Sequence, residues 1–294
     1  MIAESLHSPP KAFIPADRQD IFHLENVLKN TQGIFIGVHK EAVRKEGKFY
    51  YLTTDSLNQQ IKDSANNSMN WELSTEVFFR EQPSVEHSFT AFSVGKQKLV
   101  TTYQSLYNEE KEKVDLSDCL FIKGFRYEKV RDSVGVFSEE DVYKPKKNTF
   151  LTSQEWDFNL DKGLDWAVIE LEREIIEPHC LDLNDQNDLK EGTPLYMLGH
   201  PKGLPMKYAS CSQVINHREG SNEFYADLGG FAGNAGSPIF NALTHKVEGF
   251  LIENRTDIFP DESSLSMIVD GCDISLENEK CQIIQPIVEL ISSK

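Results

Sequence analysis

The 294-residue chain is long enough to bury a core in one large β-type domain or in two smaller ones. Its 47 acidic and 30 basic side chains give a formal net charge of -17, which repels the phosphates of nucleic acids and anionic membrane surfaces. These values argue against a nucleic-acid-binding or membrane-surface protein and make a basic or neutral partner the easier expectation.

The first 28 residues, which include Pro9, Pro10 and Pro15, indicate an extended N-terminal arm. The start lacks the basic region and the apolar stretch of roughly 7–15 residues that mark a secretory signal. Apolar runs such as Ile34–Ile36 fall far short of the roughly 20 residues that cross a bilayer. We therefore expect a protein outside the membrane that is cytoplasmic, or released without a visible signal peptide.

The central part of the chain alternates short runs of β-branched and aromatic residues with turns, from Gly33–Val38 through to Val247–Ile252. This pattern predicts many short strands in sandwiches or barrels. Helical spacing predicts one helix at Leu57–Asp63 and another at Cys281–Ser292. The polar stretch Glu139–Lys162 indicates a linker. The predicted units are thus residues 29–145, a linker at 146–162, residues 163–280 and a C-terminal helix at 281–294.

Five cysteines are too few and too scattered for a disulfide framework, and no cysteine or histidine spacing indicates zinc. A bridge between Cys272 and Cys281 stays open at this point. We expect neither a metal nor a cofactor.

Five segments carry the chemical information, and their order along the chain is distinctive. They are FTAFSVGKQKLVTTYQSLYN (Phe89–Asn108), GLDWAVIEL (Gly163–Leu171), LGHPKGLPMKY (Leu198–Tyr208), DLGGFAGNAGSPIFN (Asp227–Asn241) and HKVEGFLI (His245–Ile252). Together they resemble the bacterial trypsin-like serine peptidase family. The resemblance covers the chain from about Asp17 to its end and implies an all-β fold: two antiparallel β-barrels with an N-terminal arm and a C-terminal helix.

Carried over by position, the resemblance assigns the three residues of a catalytic triad. Gln104 occupies the position of the basic histidine, Asp165 that of the acid, and Ala235 that of the nucleophilic serine. Only the acid is retained. The resemblance also implies an oxyanion hole at Gly233, Asn234 and Ala235.

The substrate pocket implied by the same resemblance comprises Gly229, Gly230, Leu251, Ile252 and Glu253. Trypsin-like enzymes often have an acidic residue at the position of Gly229, on the pocket floor. Because glycine stands there, we expect an uncharged floor that accepts small or apolar side chains.

A carboxamide is not basic near neutral pH and a methyl group cannot attack a carbonyl, so Gln104 and Ala235 predict a catalytically inactive chain. Backbone donors alone leave only roughly 10³–10⁴ of rate enhancement over water. A substitute base or nucleophile is not expected at the remaining candidates, which are His87, His200, His217, Cys211, Ser212 and Ser237.

The main hypothesis is therefore a pseudo-protease that binds a polypeptide partner. An alternative is a true serine endopeptidase that was inactivated by engineered substitution, with histidine at position 104 and serine at position 235 of the natural protein. A remoter alternative is a structural subunit that interacts through its acidic surface.

Overall fold

The structure is a computed structural model that describes residues 18–20, 25–63, 72–74, 79–107, 113–129, 134–152, 164–176, 181–186, 188–218, 220–228, 233–252, 258–261, 266–269 and 279–292. The strands are β1 (Arg18–Asp20), β2 (Ile34–His39), β3 (Val43–Glu46), β4 (Phe49–Leu52), β5 (Asp55–Ser56), β6 (Pro83–Ser84), β7 (Phe89–Gly95), β8 (Lys98–Thr101), β9 (Cys119–Lys123), β10 (Val136–Ser138), β11 (Val142–Tyr143), β12 (Pro145–Thr152), β13 (Ala167–Leu171), β14 (Pro194–Gly199), β15 (Lys207–His217), β16 (Glu223–Ala226), β17 (Pro238–Asn241), β18 (Val247–Leu251), β19 (Ile258–Asp261), β20 (Ser266–Val269) and β21 (Glu279–Ile283). The helices are α1 (Glu25–Thr31), α2 (Leu57–Asp63) and α3 (Gln285–Ser292).

The first barrel is a seven-stranded antiparallel sheet in the order β11-β9-β2-β7-β8-β13-β12. Its interior is filled by alternate side chains of these strands, with Phe35, Leu99, Phe121 and Tyr143 among the fully buried ones. Because strand side chains point alternately to the two faces, the other face of β2 is free to pack elsewhere. Strands β3, β4 and β10 form a small separate sheet beside this barrel.

The second barrel closes on itself. The order β15-β14-β17-β18-β21-β16 returns to its start because β16 also pairs with β15, and β1 is added on the outside of β15. Closure leaves no unpaired edge inside the ring. Leu195, Val214, Phe224 and Ile239 belong to its interior.

A third apolar cluster joins the two barrels. Phe92 and Val168 from the first barrel pack with Leu198 and Phe250 from the second, and Ile287 of α3 belongs to the same cluster. The two barrels therefore meet over a packed interface, and the C-terminal helix lies against it.

The predicted all-β fold of two antiparallel barrels with a C-terminal helix is confirmed, as is the helix at Leu57–Asp63, while residues 1–17 of the predicted N-terminal arm lie outside the described residues. No helix in the described ranges is long and apolar enough to cross a bilayer.

The predicted boundaries differ from the strand pairing at three places. The segment predicted as a linker begins with strand β12, which belongs to the first barrel. Strand β12 pairs with β13, and β13 also belongs to the first barrel although its residues fall in the predicted second unit. The C-terminal helix begins at Gln285 and not at Cys281, because residues 279–283 are needed as β21 between β16 and β18. Tertiary pairing overrides local helical spacing there.

The N-terminal arm contains a strand, β1, which is held by more than its backbone. Lys207 Nζ at the start of β15 forms an ion pair with Asp20 and donates to Gln82 Oε1 over 2.6 Å. Gln82 Nε2 donates in turn to Asp20 Oδ2 over 3.1 Å. Burial lowers the pKa of Lys207 to about 8, although Asp20 opposes this shift. The three side chains tie the arm to β15 and to the residue before β6.

Candidate functional site

The turn at the nucleophile position runs from Gly233 to Ser237 and leads directly into β17. Gly233 and Gly236 have φ values of 93° and 83°, in the left-handed region that favours glycine. A Cβ on Gly236 would lie 2.2 Å from the carbonyl oxygen of Thr90, which leaves no room for a side chain. Both glycines are therefore required by the backbone path of this turn, whatever residue stands at 235.

Strand β7 holds this turn from the first barrel. The Thr90 N–H donates to the Ala235 carbonyl over 3.2 Å, and the Thr90 hydroxyl donates to the Gly233 carbonyl over 3.0 Å. The His200 N–H donates to the same hydroxyl over 3.0 Å, and the Thr101 hydroxyl donates to the Thr90 carbonyl over 2.8 Å. The turn is thus fixed between the barrels by buried hydrogen bonds.

Asp165 stands just before β13 and is fully buried. Its Oδ1 accepts a hydrogen bond from the Gln104 backbone N–H over 3.0 Å. Its own N–H donates to Gln282 Oε1 of β21 over 3.1 Å, which links the acid position to the second barrel. Gln104 begins a short 3₁₀ turn, Gln104–Leu106, that follows β8.

The Gln104 side chain points to the second barrel. Its Nε2 donates to the carbonyl oxygen of Ile252, the residue that follows β18. The preceding residue, Leu251, accepts a hydrogen bond from the Gly236 N–H over 2.9 Å. Gln104 and the turn that contains Ala235 therefore bond to consecutive residues of one segment.

The structure brings together most of the predicted site residues. Gln104 contacts Asp165 directly, and Ala235 lies with Gly233 and Asn234 in the turn beside Leu251. The remaining predicted positions, Gly229, Gly230 and Glu253, lie outside the described residues.

Two predicted pocket residues contribute only their main chain. The side chains of Leu251 and Ile252 are buried in apolar clusters, the former inside the second barrel and the latter between the barrels. Alternation along β18 explains this, because both faces of the strand meet packed cores. Their peptide groups remain the parts that face the turn and Gln104.

His200 is enclosed and not basic. Its Nδ1 lies 3.1 Å from the Leu204 carbonyl, its ring stacks on Phe125, and Nε2 has no hydrogen-bond partner among the described residues. Burial lowers the pKa of His200 to about 4. This imidazole therefore does not supply a base at neutral pH.

The other candidates have structural partners as well. His217 Nδ1 lies 3.2 Å from the Glu223 carbonyl, and the Ser212 hydroxyl lies 3.4 Å from the Ser210 carbonyl. The buried Ser237 hydroxyl donates to Asn234 Oδ1 over 3.4 Å. His87 is largely exposed, and the side chain of Cys211 lies outside the described residues.

Sequence reasoning missed Thr90, Thr101 and Gln282, which hold the turn and Asp165 in place. No local motif marks them: Thr90 and Gln282 act on segments that are distant along the chain, and Thr101 acts through Thr90 in the neighbouring strand. Their role becomes visible only once the barrels are assembled.

Comparisons with known proteins agree with this architecture. A sequence model described as the trypsin-like peptidase domain matches residues 89–249, more than half of the 294-residue chain. The VesB protease of Vibrio cholerae is 11% identical, with a TM-score of 0.53 over 94% of this chain and 66% of that chain. The inactivated protease paralogue S-I1 of the scabies mite is also 11% identical, with a TM-score of 0.52 over 91% of this chain and 95% of that chain. No curated protein matches the chain. At such identities the two structures support the fold alone.

Proposed function

Since this chain belongs to the trypsin-like peptidase domain family, we propose that it uses the two-barrel fold to bind a polypeptide and does not cleave it. The observation that carries the proposal is the arrangement of Gln104. Its backbone N–H donates to Oδ1 of Asp165, and its side-chain amide donates to the Ile252 carbonyl. Asp165, at the acid position, therefore accepts a hydrogen bond from a backbone N–H, and the base position is occupied by a carboxamide.

Proton transfer is the step that this arrangement lacks. A general base near neutral pH needs a pKa close to that pH, as imidazole has, and the Gln104 carboxamide does not. His200, the buried imidazole near the turn, has its pKa lowered to about 4 and faces Phe125 and Leu204. Neither group accepts the proton of a nucleophile at this site.

The nucleophile is lacking for a related reason. Ala235 presents a methyl group, and the hydroxyls around its turn serve the fold. Thr90 and Thr101 donate to main-chain carbonyls, and Ser237 donates to Asn234. Using any of them as a nucleophile would break a buried hydrogen bond, at a cost of about 1–3 kcal/mol before any reaction begins.

Binding does not depend on these missing groups. An extended polypeptide can pair with main-chain N–H and carbonyl groups at a sheet edge, and such hydrogen bonds need no particular side chain. The Ile252 carbonyl is one such acceptor, and Gln104 Nε2 now occupies it. An arriving N–H would replace the Gln104 amide at this oxygen. The net charge of -17 favours a basic segment and makes association faster at low salt.

The proposal is tested by immobilising the chain on a surface and measuring capture of lysine-rich and neutral extended peptides, with mass spectrometry of the eluted peptides to detect cleavage. We expect capture without cleavage, favouring the lysine-rich peptides. Gly230→Trp fills the predicted pocket and should abolish capture. Leu243→Trp is the matched control because Leu243 is 77% exposed in the turn after β17.

Unchanged capture by a correctly folded Gly230→Trp variant would move the binding site away from the predicted pocket and favour the purely structural alternative. Cleavage of the peptides by the unmodified chain would overturn the proposal altogether.

A further inference from the structure

A second candidate site lies on the first barrel. A pocket of about 600 Å³ is lined by four lysines, Lys40, Lys45, Lys144 and Lys147. These residues come from two separate parts of the chain, so their grouping is a product of the fold. In a protein with a net charge of -17, four cationic side chains around one pocket form a local exception. We call this site the lysine pocket.

Two of the four lysines are already neutralised by the protein. Lys40 pairs with Asp118, and Lys45 Nζ lies 2.9 Å from Glu139 Oε1. The pKa of Lys40 is raised, mainly by its hydrogen bond to Asp118. These pairs hold the ammonium groups in position at the pocket wall.

The other two lysines have only longer-range partners: Lys144 interacts electrostatically with Glu139, and Lys147 with Asp115. Within the described ranges, neither Lys144 nor Lys147 forms a salt bridge, and both are exposed. Lys146, which lies between them, pairs with Glu170 over 2.8 Å and does not line the pocket. Asp118 and Glu172 line the pocket too, so its wall carries four ammonium groups against two carboxylates.

The wall that carries Lys144 is rigidly supported. The Glu172 N–H donates to the Lys144 carbonyl over 2.9 Å. The Arg173 guanidinium donates to the carbonyls of Glu139, Glu140 and Val142, the last over 3.0 Å. It also lies 3.8 Å from the centroid of the Tyr143 ring. A ligand would meet a preformed wall, which lowers the entropy lost on binding.

The chemistry of the pocket defines the ligand class. Val43, Tyr50, Leu120 and Pro145 provide an apolar lining among the charges. The volume falls within the range of about 300–1,000 Å³ that is usual for small-molecule sites. Screening confines the field of the distant acidic residues to about 8 Å at physiological salt, so the four ammonium groups and two carboxylates of the pocket itself decide the local attraction. We infer that the lysine pocket binds a small multivalent anion with phosphate or carboxylate groups.

This site is separate from the candidate peptide site. Glu172 follows β13 at one end, and Asp165 precedes β13 at the other. At about 3.3 Å per residue the two positions are on the order of 20 Å apart along the strand. Anion binding can therefore be tested without reference to peptide binding or cleavage.

The test is isothermal titration calorimetry of the intact chain at low ionic strength, with pyrophosphate as the phosphate probe and citrate as the carboxylate probe. We expect saturable binding of at least one probe, which also identifies the preferred group. The double substitution Lys144→Gln and Lys147→Gln should raise Kd at least about tenfold, because two charge-assisted contacts are lost. Lys146→Gln is the matched control and should change Kd by less than about twofold.

Glu172→Gln provides a test of opposite sign and removes a lining carboxylate. It should lower Kd, by about threefold, because repulsion of the anion is relieved. The inference is overturned if neither probe binds, if the double variant binds like the unmodified chain, or if Lys146→Gln weakens binding as strongly as the double variant. Thermal unfolding of each variant verifies that it is folded.

Discussion

The candidate site and the lysine pocket use their polar groups in opposite ways. In the candidate site, Gln104, Asp165 and Thr90 bond to main-chain groups of the protein itself. In the lysine pocket, Lys144 and Lys147 form no salt bridge within the described part of the chain and face solvent. Polar groups that are hydrogen-bonded inside the fold stabilise the structure, whereas exposed ammonium groups without a salt bridge can bind a ligand. Substitutions that disturb the buried turn of the first site should therefore lower stability, whereas substitutions of Lys144 and Lys147 should weaken anion binding and leave stability nearly unchanged.

The largest expected effect is a gain of activity at the candidate site. Ala235→Ser alone should give no measurable peptide hydrolysis, because no base accepts the serine proton. Combined with Gln104→His, it should exceed either single variant by at least about 10²-fold in kcat/KM, since a triad acts as a unit. Turnover of fluorogenic peptides measures this.

Asp165→Asn added to that double variant serves as the control and should remove most of the gain, since the acid orients the imidazole. If Ala235→Ser alone hydrolyses peptides well, another group near the turn acts as the base and the assignment of position 104 is wrong.

The next effect concerns the turn itself. Gly236→Ala should lower the free energy of unfolding by at least about 3 kcal/mol, because a Cβ at positive φ would also collide with the Thr90 backbone. Gly192→Ala is the matched control: its φ is 78°, but a Cβ there meets no described atom within 4 Å. It should cost only about 1 kcal/mol. Urea unfolding measures both, and equal losses would mean that the tight contact with β7 is not present.

A pH-dependent effect is expected from His200 beside the same turn. The pKa of His200 is lowered from 6.5 to about 4 in the folded protein, mainly by burial. Between these pH values the unfolded chain binds the proton and the folded chain does not, so stability present above pH 6.5 is lost as the pH falls towards 4. The loss from this group is about 3 kcal/mol.

Urea unfolding at a series of pH values tests this against His200→Gln, in which that part of the pH dependence should be absent. His217→Gln should retain the pH dependence of the unmodified chain. Parallel curves for the unmodified chain and His200→Gln would show that the imidazole is not buried in its neutral form.

The smallest expected effect is on the stability of the lysine pocket. The double substitution Lys144→Gln and Lys147→Gln should change the free energy of unfolding by less than about 0.5 kcal/mol, because both ammonium groups are exposed and neither forms a salt bridge within the described ranges. Urea unfolding without added anions measures it. A loss as large as that of Gly236→Ala would show that these lysines are structural.

Much of the fold was predictable from the sequence, because short apolar runs that are bounded by turn residues favour β-strands. The helix at Leu57–Asp63 was predicted with its observed bounds. The strand at Glu279–Ile283 was missed because its apolar residues have helical spacing. In the folded protein its pairing with β16 and β18 outweighs that local preference.

The candidate site was predictable in part. The contact between Gln104 and Asp165 joins segments that are 61 residues apart, as the family resemblance implied. The resemblance did not predict that the contact uses the Gln104 backbone, nor that its side chain donates to Ile252. The lysine pocket has no local signal at all, because it exists only where residues 40–45 meet residues 144–147 in the folded barrel.

Strand β1 also acts as a cover for the second barrel. Arg18–Asp20 pairs with Lys207–Ala209 of β15, and Asp20 neutralises Lys207, whose side chain is only 3% exposed. Detaching this strand would leave a buried ammonium group without its carboxylate and would expose an unpaired β-edge. Such an edge recruits a strand from another molecule. The arm therefore also shields this edge of β15 from pairing with a strand of another molecule.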